Sequence, residues 1–400
     1  MEKSLIKKII IVGGGPAGMM AALELSKNHE VHLYEKGKTL GRKFLVAGKG
    51  GFNLSNSLTG QNLISKYSPT SFFTPILNNF DSCSTRNWLK DLGINTFIGS
   101  SGRIFPIKGI KPIEVLNAIK DRLLEKNATI HFEHEFIDFT ENEIIFKTID
   151  GSTTTMIFDK CIFALGGASW SATGSKGDWL PVFEKIGIAT KHFEASNCGL
   201  KIDFTHKEIL KHIGTPLKNI QVSINGITIK GEAVISNYGL EGNAIYPISA
   251  LVRENLKTNN STQIKVDLKP FNTELDLLDK ITATTLPKNY SYLFKLNKTQ
   301  IALIKSFTDK ETYLNPISFV KSIKNLYIPI TNLQPMEEAI STIGGISMTE
   351  LNPNLSLKKI PNVYIAGEMF DWDTITGGFL LQGCFSTAYH ISQNIINTSN

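Results

Sequence analysis

Three glycines near the start of the chain follow an apolar, β-branched run and precede a helix-forming stretch. Gly13, Gly15 and Gly18 have the spacing of the dinucleotide-binding fingerprint, with Pro16 and Ala17 between the last two. In that fingerprint the first glycine makes the turn, the second lets a pyrophosphate approach the backbone, and the third lets the helix pack on the strand. The helix N-terminus then presents free N–H groups to the phosphates. These five residues are therefore predicted to bind a dinucleotide, although a chance glycine turn has the same spacing.

A carboxylate follows the next predicted strand, the apolar run 31–34. Glu35 comes about 20 residues after the glycine turn, where an acidic side chain accepts hydrogen bonds from the ribose hydroxyls of adenosine. Because such a carboxylate also disfavours a 2′-phosphate, Glu35 favours FAD or NAD over NADP at this site. The strand, turn, helix and acid together make a dinucleotide-binding domain the leading interpretation.

A glycine-rich loop at 41–56 comes soon after this strand and carries two adjacent cations. Such a loop suits an anion that approaches the backbone closely, whereas the alternative is a flexible surface loop. The cofactor-binding candidates in this region are Lys36, Arg42, Lys43, Asn53 and Ser55.

Two later strand-like runs also end in glycine and favour FAD over NAD. One run is followed by Gly166, and the run 363–366 is followed by Gly367 and Glu368. In flavoproteins of the two-dinucleotide type, a late strand ends in glycine and an acid whose carboxylate meets the ribityl chain, and the next helix points its N-terminus at the flavin. We therefore add Gly166, Gly367, Glu368, Asp371, Gly377, Gly378 and Phe379 to the FAD-binding candidates. Because the sequence has no second fingerprint, any NAD(P)H is expected to dock transiently as an electron donor.

The composition bounds the other functional classes. The chain has 400 residues, 42% of them hydrophobic, and its net charge of +6 is not concentrated in any long run of one sign. We therefore expect no nucleic-acid arm, and no uninterrupted apolar run has membrane length. The four cysteines are far apart and the histidines lack metal-ligand spacing, so neither a zinc site nor a dithiol centre is predicted, and a reducing, cytoplasmic setting is expected.

The order of predicted elements indicates a discontinuous cofactor domain. Buried strands that end in glycine occupy both ends of the chain, whereas the middle combines short strands, among them 221–229 and 264–268, with polar helices. Pro112 is predicted to open a helix with Ile113, Leu116, Ile119 and Leu123 on its apolar face, and 130–158 a small β-meander. The predicted divisions are an FAD-binding domain at 1–192 and 337–400, an inserted β-rich domain at 193–272, and a helical subdomain at 273–336.

Five stretches together resemble the bacterial BaiN-type and aminoacetone-oxidase-like flavoproteins, a family of FAD-dependent oxidoreductases whose substrates are mostly unassigned. The stretches are 13–18, 41–56, 101–106, 164–179 and 343–382, the last including GGIS, GEMFDWD and TGGFLLQ. The resemblance implies an α/β fold: a discontinuous glutathione-reductase-type FAD-binding Rossmann domain with an inserted β-rich domain and a small helical subdomain.

The inserted region supplies one more stretch that resembles the family, at 231–242. Many members have a histidine and a serine here, in a T-H-x-G-L-S-G-P pattern, where this sequence has Tyr238 and Glu241. Tyr238 could donate a proton to a carbonyl or enone, and Glu241 could neutralise an ammonium group. Arg103, in a compact turn, could hold a substrate carboxylate or carbonyl. For all three candidate catalytic residues, a structural role is the alternative: a glycine turn for the first two and a salt bridge for Arg103.

The functional prediction is an FAD enzyme that transfers a hydride through flavin N5. In the preferred version, NAD(P)H reduces the flavin, which then reduces an activated C=C or C=O of a small organic substrate. An amine oxidase that uses oxygen and releases hydrogen peroxide is the first alternative. A tRNA-modifying flavoprotein is an alternative of another class, but the expectation is a small-molecule substrate, with neither nucleic acid nor a membrane as partner. The sequence leaves the oligomeric state open.

Overall fold

The computed structural model describes residues 6–46 and 52–398, which fall into two compact units. Unit 1 comprises Met1–Glu194 and Ser341–Asn400, and unit 2 comprises Ala195–Ile340. Part of the predicted anion-binding loop, residues 47–51, lies outside the described residues. The cofactor domain is therefore discontinuous in the chain, as the sequence indicates.

The first segment of unit 1 contains most of the elements around the glycine turn. Its strands are β1 (Lys8–Val12), β2 (Glu30–Glu35), β3 (Ser55–Asn56), β4 (Tyr67–Ser68), β5 (Thr96–Ile98), β6 (Arg103–Pro106), β7 (Thr129–Phe132), β8 (His134–Phe139), β9 (Glu143–Thr148), β10 (Thr153–Ile157), β11 (Lys160–Phe163) and β12 (Thr190–Ser196). Its helices are α1 (Pro16–Leu25), α2 (Arg42–Val46), α3 (Gly60–Ile64), α4 (Thr70–Asn79), α5 (Ser82–Asp91), α6 (Pro112–Glu125) and α7 (Leu180–Lys185).

Unit 2 and the returning segment of unit 1 supply the remaining elements. Unit 2 contains β13 (Leu200–Lys201), β14 (Pro216–Ile224), β15 (Ile227–Ile235), β16 (Gly239–Glu241), β17 (Thr262–Asp267), β18 (Leu326–Ile330) and β19 (Asn332–Leu333), with α8 (Ser249–Asn259), α9 (Glu274–Leu278), α10 (Tyr290–Leu293), α11 (Lys298–Phe307), α12 (Lys310–Leu314) and α13 (Pro316–Lys324). The returning segment contains β20 (Ser341–Ile346), β21 (Val363–Ile365), β22 (Asp373–Thr374) and α14 (Phe379–Asn397).

A parallel sheet of five strands forms the centre of unit 1. Its order is β21-β11-β1-β2-β7, with β1 paired on one side to β11 and on the other to β2. Because both faces are covered, the central strand is apolar along its length, and Ile9, Ile10 and Ile11 are fully buried. Parallel strands bring their carboxyl ends to one edge of the sheet, which is where the glycine turn and Glu35 lie.

Unit 2 is built around a separate hydrophobic core beneath a seven-stranded sheet. The strand order is β18-β17-β14-β15-β16-β13-β19. Residues from the sheet, such as Ile220 and Val266, share this core with helical residues such as Leu303 and Phe319. The predicted separation of a helical subdomain at 273 stays a prediction, because strands and helices here pack around the same core.

Three details of the predicted secondary structure are wrong. The predicted strand 221–229 is two strands, because Asn225 and Gly226 both have positive φ and form the two-residue hairpin turn between β14 and β15. The strand β7 pairs with β2 in the parallel sheet, so the meander consists of β8, β9 and β10 alone. On α6, Ile113 is 44% exposed, and Val115 lies on the buried face with the other predicted residues.

A buried glutamine anchors the start of the last helix to the first segment of unit 1. The Oε1 atom of Gln382 accepts hydrogen bonds from Ser55 Oγ at 2.6 Å and Thr85 Oγ1 at 2.8 Å. Its Nε2 atom donates to the carbonyl oxygen of Phe80 at 3.2 Å and to Ser386 Oγ at 3.0 Å. One side chain therefore satisfies polar groups from β3, α5 and α14.

Replacing Gln382 with Met, which has a similar length and no hydrogen-bonding capacity of this kind, should destabilise the protein by roughly 2 kcal/mol or more. The reason is that the buried hydroxyls of Ser55 and Thr85 lose their common acceptor. The measurement is the free energy of unfolding in urea, with Gln393→Met at a partly exposed position of the same helix as the matched control. Equal stability of the two variants would contradict this role for Gln382.

Candidate active site

A cavity of about 410 Å³ lies at the carboxyl edge of the parallel sheet in unit 1. The structure brings together eleven of the predicted cofactor-binding residues around it. They are Gly13, Gly15, Pro16, Ala17, Glu35, Lys36, Arg42, Lys43, Gly166, Gly367 and Glu368. The cavity is therefore the place to test whether the described residues fit FAD.

The glycine turn leaves room at one position and none at two others. A Cβ atom on Gly13, whose φ is +109°, would overlap the carbonyl oxygen of Ala164, and one on Gly18 would overlap that of Gly13. A Cβ atom on Gly15 would have no heavy atom within 4 Å. Because Gly15 precedes the first turn of α1, this open space lies where free backbone N–H groups can meet a phosphate.

Glu35 is oriented by the backbone on both sides of β2. Its Oε2 atom accepts a hydrogen bond from Gly14 N at 2.8 Å, and its Oε1 atom accepts one from Gly37 N at 2.7 Å. A carboxylate oxygen can accept more than one hydrogen bond, so both oxygens retain acceptor capacity for ribose hydroxyls.

The second carboxylate of the cavity has an unsatisfied oxygen. Lys43 Nζ lies 3.0 Å from Glu368 Oε2 and 2.7 Å from Ser169 Oγ. The other oxygen, Glu368 Oε1, is buried and has no hydrogen-bond partner among residues 6–46 and 52–398. A buried acceptor without a donor is costly, by about 1–3 kcal/mol. A hydroxyl donor such as those of the FAD ribityl chain would satisfy it, so these residues fit the cofactor.

Cys384 also lines this part of the cavity and is expected to remain a neutral thiol. Burial, followed by the charge of Glu368, raises the pKa of Cys384 far above its ordinary value. Neither nucleophilic nor redox chemistry of this thiolate is therefore indicated.

Seven other predicted cofactor residues do not line the cavity: Gly18, Asn53, Ser55, Asp371, Gly377, Gly378 and Phe379. Asp371 is held by the protein, because its Oδ2 lies 2.6 Å from Lys191 Nζ and its Oδ1 accepts from Gly344 N at 3.0 Å. For all seven residues, a role in FAD binding stays a prediction.

Gly377, Gly378 and Phe379 lead into the 19-residue helix α14. Gly378 has a φ of +99° and packs so closely on the backbone of Ser55 that a Cβ atom would overlap it. The side chain of Asn56 donates to the carbonyl oxygen of Gly377 at 3.1 Å. The start of the helix is thus fixed against β3, with its N-terminal N–H groups available to a ligand.

Arg103 lies beside this helix start. Arg103 on β6 pairs with Asn56 on the antiparallel strand β3. Its Nε atom is 3.8 Å from the position that a Cβ atom on Gly377 would occupy. The side chain is half-buried, and within the described part of the chain its guanidinium has neither a salt bridge nor a hydrogen bond. An unpaired cation in this position is available to a substrate oxygen, whereas the predicted alternative was a salt bridge.

The two remaining catalytic candidates contact each other in unit 2. The Tyr238 hydroxyl lies 2.5 Å from Glu241 Oε2 and 2.7 Å from Gln334 Oε1. Burial, followed by the hydrogen bond to Glu241, raises the pKa of Tyr238 far above its ordinary value. The phenol therefore keeps its proton at neutral pH.

The sequence interpretation missed two parts of the cavity wall. One is the start of β8 with Tyr34, and the other is the loop 173–179. The loop is fixed near Gly166, whose carbonyl oxygen accepts from Trp179 Nε1 at 3.1 Å. It falls in the stretch 164–179 that carries the family resemblance, so that stretch could have identified the loop.

Comparison with known proteins gives a family match along nearly the full chain. The family described as "HI0933-like protein Rossmann domain" matches residues 7–394. The chain is 23% identical to a ribosomal RNA dihydrouridine synthase of Escherichia coli K12, over 97% of each chain. It is also 23% identical to the 3-dehydro-bile acid delta(4,6)-reductase of Clostridium scindens, over 96% of this chain and 98% of that one.

Solved structures support the same fold. A 3-ketosteroid-delta4-(5alpha)-dehydrogenase from Rhodococcus jostii RHA1 superposes with a TM-score of 0.54 and 14% identity, covering 98% of this chain and 97% of that one. A 3-ketosteroid delta1-dehydrogenase from Sterolibacterium denitrificans gives a TM-score of 0.55 with 11% identity, covering 98% and 100%. The predicted Rossmann-type α/β fold is confirmed.

Residues 6–46 and 52–398 contain neither a candidate metal centre nor a helix that could span a membrane. No group of histidine, cysteine, aspartate or glutamate side chains there has an arrangement that could hold a metal ion. None of the helices in these ranges combines the length and apolar character needed to cross a membrane.

The glycine turn gives a prediction that separates folding from binding. Gly15→Ala should leave the stability of the FAD-free protein unchanged, because its Cβ atom enters open space, and weaken FAD binding about tenfold or more, equal to roughly 1.4 kcal/mol. The matched variant Gly13→Ala should instead lower the free energy of unfolding, because its Cβ atom overlaps the backbone. Titration of flavin fluorescence and urea unfolding measure the two effects. Unchanged FAD affinity in Gly15→Ala would contradict a phosphate position at this glycine.

Proposed function

We propose, from the premise that this chain belongs to the HI0933-like Rossmann family, that it reduces a carbon–carbon double bond conjugated to a carbonyl group. The protein is an FAD-dependent oxidoreductase, and NAD(P)H is the proposed electron donor. FAD, when bound, supplies a hydride through flavin N5. The observation that carries the proposal is the unpaired, half-buried Arg103 beside the start of α14.

Arg103 suits this reaction because of where charge develops. When a hydride adds to the β-carbon of a conjugated carbonyl compound, the carbonyl oxygen gains negative charge. A guanidinium close to that oxygen stabilises the charge, and more strongly where less water surrounds the pair. The N-terminus of α14, which begins at Phe379, adds partial positive charge close to Gly377 in the chain.

Other residues of the chain would hold the cofactor and keep protons in place. Glu35 and Glu368 would accept hydrogen bonds from cofactor hydroxyls, and Lys43 would balance the charge of Glu368. In unit 2, Tyr238 retains the proton that a general acid needs, and Glu241 orients its hydroxyl. The carbon next to the carbonyl then takes up a proton, which solvent can supply, and the role of Tyr238 as a proton donor stays a prediction.

The relatives' names support double-bond reduction as the reaction class. One name states a reductase that acts at the delta(4,6) positions of a 3-dehydro-bile acid, and the other states the synthesis of dihydrouridine in ribosomal RNA. Dihydrouridine is uridine in which a carbon–carbon double bond conjugated to a carbonyl has been reduced. The same chemistry therefore suits either substrate, and the small organic molecule remains the proposed one.

Uridine in RNA is the second candidate substrate. Unit 2 has two strongly exposed aromatic rings, Phe271 at 77% and Tyr292 at 89%, and Lys230 lies over the first at 5.9 Å. Exposed aromatic rings beside lysines are features that bind single-stranded nucleic acid through stacking and charge. The exposed rings and the similarity to a ribosomal RNA dihydrouridine synthase are the reasons to include uridine-containing RNA among the substrates tested.

Amine oxidation fits the described residues less well. A protonated amine would meet the positive charge of Arg103 and the partial positive charge of the helix start. Amine oxidation therefore becomes an outcome of the test.

The test follows both half-reactions of the FAD-loaded enzyme without oxygen. NADH or NADPH should bleach the visible flavin band, and adding a conjugated cyclic enone should restore it. Restoration only by uridine-containing RNA would move the substrate to the second candidate. Bleaching by primary amines, with none by NADH or NADPH, would contradict the proposal and indicate an oxidase.

Substituting Arg103 tests its role separately. Arg103→Met should slow re-oxidation by the enone about 100-fold, a loss of roughly 2.7 kcal/mol of transition-state stabilisation, and leave bleaching by the nicotinamide donor unchanged. The control is Lys108→Met, which removes an exposed cation a few residues along the chain. Equal rates of re-oxidation in wild type and Arg103→Met would exclude Arg103 from the reaction.

A further inference from the structure

The cavity wall beyond Glu35 contains a histidine ring. The sheet order β1-β2-β7 places the end of β7, and His134 just after it, on the far side of Glu35 from the glycine turn, and His134 lines the cavity there. If the phosphates face the turn and Glu35 holds the adenosine ribose, the base must lie beyond Glu35. His134 is the titratable ring that this wall presents to a base.

Hydrogen bonding fixes which nitrogen of His134 carries the proton. Its Nδ1 atom lies 2.6 Å from the carbonyl oxygen of Phe132, and a carbonyl can only accept, so Nδ1 must donate. In the neutral ring, Nε2 then carries a lone pair. No side chain or backbone group among the described residues donates to that atom. The Nε2 atom of His134 is therefore able to accept a hydrogen bond from a ligand.

A stack of aromatic rings holds this histidine in place. His134 meets the ring of Tyr34 edge-on at 5.5 Å, and Tyr34 is itself stacked between His131 at 4.3 Å and Phe146 at 4.1 Å. Behind them, His131 Nε2 lies 3.0 Å from His32 Nδ1. The packing orients His134 without using its Nε2 atom.

One ring of the stack, His131, stays uncharged at neutral pH. Burial, followed by the neighbouring charges of His32, His134 and Lys8, lowers the pKa of His131 to about 4. His131 therefore packs on Tyr34 as a neutral ring, and this packing holds the neighbouring His134 in place.

We propose that His134 Nε2 accepts a hydrogen bond from the 6-amino group of the cofactor's adenine and so selects an adenine dinucleotide. The 6-amino group of adenine is a donor, whereas the 6-oxo group of hypoxanthine or guanine is an acceptor. An oxo group would place two lone pairs against each other. This inference rests on the proposed binding of FAD in the cavity of unit 1.

The experiment titrates flavin-free protein with FAD and with its 6-oxo analogue, flavin hypoxanthine dinucleotide, following flavin fluorescence. Wild type should bind FAD about tenfold more tightly, which is the size of one hydrogen bond. His134→Phe keeps a ring for packing and should lose this preference by weakening FAD binding. The control is His192→Phe, at an exposed position on β12 that should keep the wild-type preference.

A second variant protects the test against misfolding. In His134→Gln the amide can rotate to accept from an amino group or donate to an oxo group, so it should bind both dinucleotides with similar affinity. Retention of the wild-type preference in His134→Phe or His134→Gln would overturn the inference. Equal binding of both dinucleotides by wild type would overturn the inference about His134 and leave the proposed function standing. A wild-type protein that binds no FAD would contradict the proposed function itself.

Discussion

The cofactor cavity depends on how closely the backbone approaches itself at the glycine turn between β1 and α1. Side chains at Gly13 or Gly18 would overlap carbonyl oxygens, so these positions let the end of β11 and the start of α1 meet at the turn. The parallel pairing of β1 with β2 and β11, and of β11 with β21, then brings other strand ends to the same edge. For this reason Glu35 and Glu368, which are far apart in the chain, line one cavity with the first turn of α1.

Much of this arrangement could be predicted because it is written in short local patterns. The β-branched run, the three glycines and the acid after the next strand each specify a backbone conformation or a strand end, and together they predict the Rossmann-type fold. Details that depend on neighbours were harder. The pairing of β7 with β2 depends on a partner about 100 residues away, which no local pattern shows. The hairpin at Asn225 and Gly226, by contrast, has a strong local turn signal and could have been predicted.

The candidate site likewise contains residues that the sequence could predict and residues that it could not. Most of the predicted residues at the turn after β1 and at the ends of β2 and β21 line the cavity, whereas the glycines before α14 do not. Asp371 was predicted from its closeness in sequence to Glu368, and the structure pairs it with Lys191. No sequence pattern identifies His134 as a binding residue. Its Nε2 atom is available only because Nδ1 donates to a backbone carbonyl, and the cavity that the ring lines is built by other strands. The absence of a salt bridge at Arg103, within the residues described, is likewise a property of packing and not of composition.

The central claim is that the buried, unpaired oxygen of Glu368 serves a bound FAD and costs stability without it. The most direct measurement is the FAD dissociation constant of Glu368→Met, taken together with the free energy of unfolding of its FAD-free form. The account predicts an FAD affinity at least about tenfold weaker, near 1.4 kcal/mol, and a smaller loss of FAD-free stability, because removing the unsatisfied oxygen offsets the lost ion pair with Lys43. Unchanged FAD affinity, or a loss of FAD-free stability as large as the loss of binding, would contradict it.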